Sequence, residues 1–419
     1  ALPAVTPAAP ARAAVSALDF QNTMRKLWED HITWTRLAIV AILDDRPEKD
    51  AAVQRLLQNQ VDIGDAIKPY YGDAAGAQLA TMLHDHITGA AAVLVAAKSG
   101  DQAQVQAASD AWYANGNDIA AFLNKANPNN WPLATLQDMM KMHLDTTLAE
   151  AVAHLKKDYA ADIAAYDAVD EHILHMADAL SSGIIAQFPD RFTAAPPAGQ
   201  LAFHLAMRKL WEDHITWTRL AILDIFENDA ETNATVQRLL QNQVDIGNAI
   251  KPYYGDAAGN QLAALLQDHI TGAAALLMAA KSGDQAKLKT ASDAWYANGN
   301  AIAAFLNKAN PNAWPLATLQ DMMKMHLDTT VAEATANLKG DYTADVAGYD
   351  AVHEHILHMA DALSDGVIAE FPQQFGGPQV VGMPRTGQPA PDAWFWLIAL
   401  IAGNVLLLAG RYLRRKPAA

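Results

Sequence analysis

The sequence predicts an all-α protein: two tandem bundle domains of five to six helices each, followed by one C-terminal transmembrane helix. Three observations carry that prediction. Apolar residues recur with a helical period, as in the row Leu27, His31, Trp34, Ala38, while the two-residue alternation of a half-buried strand is absent. Met24 matches Met207, Trp112 matches Trp295 and Tyr166 matches Tyr349, and about four positions in five agree between 24–192 and 207–375. A repeat of that length duplicates a whole domain, not a short solenoid unit. Finally, Ala393 to Gly410 is an uncharged run of 18 residues, just long enough to cross hydrocarbon.

The elements follow from the helix breakers. Residues 1–16, rich in Ala and Pro, read as a flexible leader left after removal of an export signal. The first bundle occupies 17–192. Pro47 ends its first helix, Pro69 and Gly72 the second, Ser99-Gly100-Asp101 separates the third from the fourth, and Asn127-Pro128 precedes the fifth. From Leu133 to Gln187 only Gly183 intervenes, which gives either one very long helix or two that turn near Lys157-Asp158. A Pro-rich linker, 193–200, leads to the second bundle, 201–375. A Pro/Gly-rich linker, 376–392, leads to the span at 393–410 and a basic tail at 411–419. Trp394 and Trp396 suit one membrane interface, and Arg411, Arg414, Arg415 and Lys416 the cytoplasmic one, which places both bundles outside.

Charge and motifs narrow the function. The net charge of −16 with scattered basic residues gives no footprint for nucleic acid. Without cysteine, a metal would need His, Asp, Glu or Met ligands. The chain has no glycine-rich phosphate loop, dinucleotide fingerprint or G-x-S-x-G elbow, so no nucleophile can be named and an enzyme is the weakest reading.

Histidines supply the strongest chemical signal. Ten of the fourteen form five equivalent pairs: His31/His214, His86/His269, His143/His326, His172/His355 and His175/His358. His31, His86, His143 and His172 each lie in an apolar helical row, so imidazoles from four helices are expected to enter one core. A buried imidazole needs partners for both ring nitrogens, and converging histidines are how bundles build metal sites. Glu29, Asp62, Glu171 and Asp178, with Glu212, Asp245, Glu354 and Asp361 in the second copy, are candidate supporting acceptors. Met139, Met140, Met142 and Met176 add soft sulfur, so the candidate cofactors are iron, copper, zinc or haem. Neither the paired Glu-x-x-His di-iron pattern nor His-Glu-x-x-His is met. The competing expectation is a structural or adhesive module whose histidines form only a buried polar network. His84, His154, His204 and His353 occur in one copy only and are expected in solvent, while Trp112, Trp131, Tyr70 and Tyr71 are expected to pack helix ends.

Two resemblances add to this. Met383-Pro384-Arg385-Thr386-Gly387, followed by a short spacer, an apolar span and a basic tail, resembles the LPxTG sorting signal of bacterial surface proteins, with Met383 where that family has Leu. The resemblance implies cleavage by a sortase between Thr386 and Gly387 and attachment to the cell wall. Each copy, over nearly all its length and through segments such as LWEDHITWTR, RLLQNQVDIG and HILHMADALS, is similar to a group of bacterial helical proteins without an established activity. That likeness implies the helical fold and transfers no catalytic residue. The functional expectation is a surface protein, anchored to membrane or wall, whose two bundles project on Pro-rich linkers and each hold a small ligand through core histidines.

Overall fold

The structure, a computed structural model, describes residues 14–376. Twelve α-helices account for nearly all of them: α1 Ala17–Leu43, α2 Lys49–Tyr71, α3 Asp73–Ser99, α4 Gln102–Ala126, α5 Leu133–Leu155, α6 Tyr159–Gln187, α7 Ala198–Glu227, α8 Thr232–Tyr254, α9 Asp256–Ser282, α10 Gln285–Ala309, α11 Leu316–Leu338 and α12 Tyr342–Glu370. Among the described residues the only strand-like pairing is an isolated bridge between Val15 and Phe192, which ties the entry of α1 to the exit of α6.

Local chemistry explains the boundaries. The Asp101 side chain accepts from the amides of Ala103 and Gln104, and Asp158 from that of Ala161, so each supplies an acceptor to an otherwise orphaned helix start. The stretch from Leu133 to Gln187 is two helices, not one: Lys157 turns the chain with φ +58°, and the second copy places Gly340 there with φ +73°. Pro69 does not end α2. It sits in the last turn, and Gly72 with φ +87° ends the helix three residues later.

Short connections make consecutive helices antiparallel neighbours. α1 also packs against α6, α3 and α5, and α7 stands in the same relation to α12, α9 and α11, so the WEDHITWTR helix is central to each set of six. α3 and α9 are long and apolar enough to cross a membrane by composition, and here each packs between its neighbours in the set.

The two sets are not held apart by the Pro-rich linker, contrary to expectation. α7 begins directly after Pro197, and α1 meets α7, α2 meets α12 and α6 meets α8. Trp34 packs edge-on against Tyr349, and Trp217 against Tyr166, in reciprocal contacts with both tryptophans fully buried. Arg55 pairs with Asp350 and Arg238 with Asp167, each at 2.8 Å. Most of the 1–16 leader, the 376–392 linker beyond its first residue, Thr386 and Gly387, the 393–410 span and the 411–419 tail lie outside the described residues.

Candidate metal centres

Three helices deliver the site in each copy. His31 from α1, His86 from α3 and His143 from α5 are all buried, and one ring nitrogen of each lies within 4.8 Å of the other two. Ring centroids are 5.7 to 6.2 Å apart. His214, His269 and His326 repeat the arrangement from α7, α9 and α11, with the same 4.8 Å limit. Three nitrogens around a metal at ordinary Zn–N length stand roughly 3.3 Å apart, so rings at the 4.8 Å limit would have to draw inward to share one ion.

The rings are held from behind. His86 Nδ1 lies 3.0 Å from Asn115 Oδ1, and His269 Nδ1 3.0 Å from Asn298 Oδ1, which fixes these imidazoles with Nδ1 as the donor and leaves Nε2 with its lone pair. Trp112 lies against His86 and Trp295 stacks on His269, while Trp28 and Trp211 present edges to His31 and His214. Nδ1 of His31, His143, His214 and His326 is buried without a hydrogen-bond partner. Buried polar atoms in proteins are generally paired, and a metal ion is one partner that a ring nitrogen with a free lone pair can take.

Electrostatics favour the metal-ligating form. Burial, reinforced by repulsion from His86, pulls His31 down to about 3; burial alone pulls His86 down to about 4; and burial followed by the neighbouring rings holds His143 well below the usual imidazole range. The second copy behaves alike, with His214 at about 3, His269 at about 4 and His326 well depressed. All six rings are therefore neutral at pH 7. No carboxylate belongs to either trio, and the surrounding walls are mainly Ala, Ile, Leu and Val.

Other expected ligands go elsewhere. His172 Nε2 donates to the Met139 carbonyl and His355 Nε2 to that of Met322, both at 2.8 Å, binding α6 to α5 and α12 to α11. His175 and His358 are exposed, although they follow His172 and His355 by three residues. The acidic residues expected to support the trios bond to other groups. Asp178 pairs with Arg25, Asp361 with Arg208, Asp62 with Gln58 and Asp245 with Gln241. Glu354 pairs with His358 on the surface, and Glu171 is only partly buried. Glu29 and Glu212 meet between the two sets, where burial and then the neighbouring Glu212 push Glu29 far above the usual carboxylate range. The amides that do orient the trios, Asn115 and Asn298, fall three residues after Trp112 and Trp295 in one helical row, a pattern visible in the sequence but overshadowed by the acidic residues.

Single-copy histidines were expected in solvent, and only His84 is there. His154 lies between Asp162 at 3.0 Å and Asp44 at 2.8 Å; although burial opposes it, these carboxylates raise it to about 10. His353 bridges Glu212 and Asp30, each at 3.1 Å, and His204 approaches Asp361 at 3.1 Å. All three are buried. Trp112 likewise departs from expectation: it covers a histidine in mid-helix, whereas Trp131 does pack a helix end, with Nε1 donating to the Ala179 carbonyl. Comparison with family models, with curated proteins and with solved structures finds no match to this chain.

Proposed function

We propose that each set of six helices binds one transition-metal ion through its three imidazoles, His31, His86 and His143 in the first and His214, His269 and His326 in the second. One observation carries the reading: in both copies, neutral buried rings converge with lone pairs and unpartnered Nδ1 atoms in an apolar interior. A set of three neutral nitrogen donors suits copper or zinc. With no carboxylate to offset charge, the burial cost rises with the square of the ion's charge, so a monovalent ion costs about a quarter of a divalent one. That favours copper(I). The trio-lined cavities, about 40 Å³ in the first copy and about 280 Å³ in the second, suit an ion with at most a small additional ligand better than a porphyrin spanning the bundle.

Metal analysis of untagged protein, loaded with copper(I) under reducing conditions and dialysed, tests this. The expected content is about two ions per chain, falling to about one in His143→Ala and to none in His143→Ala/His326→Ala. A chain that retains none supports instead a structural or adhesive module. The same reading has the protein displayed outside the membrane, carried by the MPRTG segment, apolar span and basic tail. Mass spectrometry of wall digests should find a C-terminus at Thr386, whereas an intact RYLRRK tail would argue for a membrane anchor alone.

A further inference from the structure

The two trios differ in what surrounds them. In the first copy the cavity at the histidines measures about 40 Å³, room for a water or two beside an ion. In the second it measures about 280 Å³ and adjoins a chamber of about 390 Å³, with which it shares Thr218, Ala273, Leu277, Trp295 and Thr330 as walls. A chamber of that size is in the range of small-molecule sites.

Sequence differences account for part of this. Leu148 lines the small first cavity and is buried, while its counterpart in the second copy is Val331, one methylene shorter, in the wall of the chamber. The interior of the chamber is apolar, with Ile222, Phe226, Leu276 and Leu277. Its rim carries Lys289 and Asp293, an exposed ion pair at 2.6 Å. Inward of that pair the polar lining is neutral, Thr218, Ser292, Thr330 and Thr335 among it, so a charged molecule would shed its hydration without a counter-ion, a cost that an uncharged molecule escapes.

We infer that the second centre is the roomier one that admits a ligand: a small uncharged molecule reaches the ion at His214, His269 and His326 through this chamber, while the space at His31, His86 and His143 is too small to hold it beside the ion. This rests on the metal reading above. The division would make the first ion a fixed component of the fold and the second the one that exchanges a ligand.

The test loads the full chain with copper(I) and titrates tert-butyl isocyanide, a neutral ligand of copper(I) too bulky for a 40 Å³ space, following the C≡N stretch by infrared spectroscopy. The expected result is one bound isocyanide per two copper ions. Val331→Leu, which installs the side chain the first copy already tolerates, should weaken isocyanide binding at least tenfold with copper content unchanged. His326→Ala should abolish it while one copper remains. Two bound isocyanides, none, or one that survives His326→Ala would overturn the inference with the metal reading intact. A chain that holds no copper would overturn both.

Discussion

At the scale of single residues, the imidazoles divide into two electrostatic classes with opposite pH signatures. His31 and His86 in the trio have folded-state values of about 3 and 4, below the unfolded value near 6.5. The unfolded chain therefore takes up protons that the folded chain refuses. Stability is fully present above pH 6.5 and is lost as pH falls toward 4, by up to about 1.4 kcal/mol per pH unit for each such group. In metal-free protein, His86→Leu should flatten this acid limb, measured as the change in urea midpoint between pH 7 and pH 5; an unchanged slope would show that the ring is not buried neutral. His154 runs the other way. Held at about 10 by Asp162 and Asp44, it contributes stability that is fully present below pH 6.5 and lost as pH rises through 10. His154→Asn, which copies the Asn337 found at the equivalent position, should lower stability at pH 7 by about 1–3 kcal/mol, with the difference shrinking by pH 10.5.

At the scale of helices, small residues set how closely the rods approach. A Cβ on Gly64 would sit 2.6 Å from the Gly76 carbonyl oxygen, so α2 and α3 touch backbone to backbone there. A Cβ on Gly116 would meet Leu144 and Met140 at ordinary contact distances of 3.5 and 3.6 Å. Gly64→Ala should therefore cost about 1–3 kcal/mol by forcing the helices apart, whereas Gly116→Ala should be neutral or stabilise by up to about 1 kcal/mol through helix propensity. Paired thermal denaturation of the two variants checks the contrast, and equal losses would contradict the close crossing. These features mark the limit of what periodicity conveys. Apolar rows and breakers announced the helices, and the rows holding His31, His86 and His143 pointed correctly inward. The same row argument misplaced His172, because a helical face specifies an inward direction but not which neighbour is met at that height: His172 reaches the Met139 carbonyl instead. The α5–α6 turn was ambiguous because Lys157 adopts a left-handed conformation without the glycine that marks it in the second copy.

At the scale of the whole molecule, the duplicated sequence conceals an asymmetric join. Half of WEDHITWTR faces its own bundle through His31, and half faces the other copy through Glu29, Asp30 and Trp34, a division that a single sequence gives no means to see because both faces are buried. Arg46 reaches across to Asp224, Asp229 and Glu231, at 2.8 to 2.9 Å. The equivalents of those three acids in the first copy are Ala41, Arg46 and Glu48. Two first copies joined in the same way would set Arg46 against another Arg46 with one carboxylate nearby, and two second copies would gather three acids around Asp229 with only Arg219, the equivalent of Arg36, near Glu231. Like charges buried together cost several kcal/mol, so the join should select unlike halves. Residues 14–195 and 196–376, produced as separate chains and mixed, are expected to form a one-to-one heterodimer in native mass spectrometry, with homodimers at most a minor species. Arg46→Ala should weaken the heterodimer by about 3–5 kcal/mol, because it leaves Asp224 and Asp229 without their cation and Glu231 with only the longer contacts to Arg36 and His154. Statistical pairing of the halves, or indifference to Arg46→Ala, would mean that the contacts common to both halves, those of Trp34 and Trp217 and the Arg55–Asp350 and Arg238–Asp167 pairs, hold the copies together without selection by Arg46.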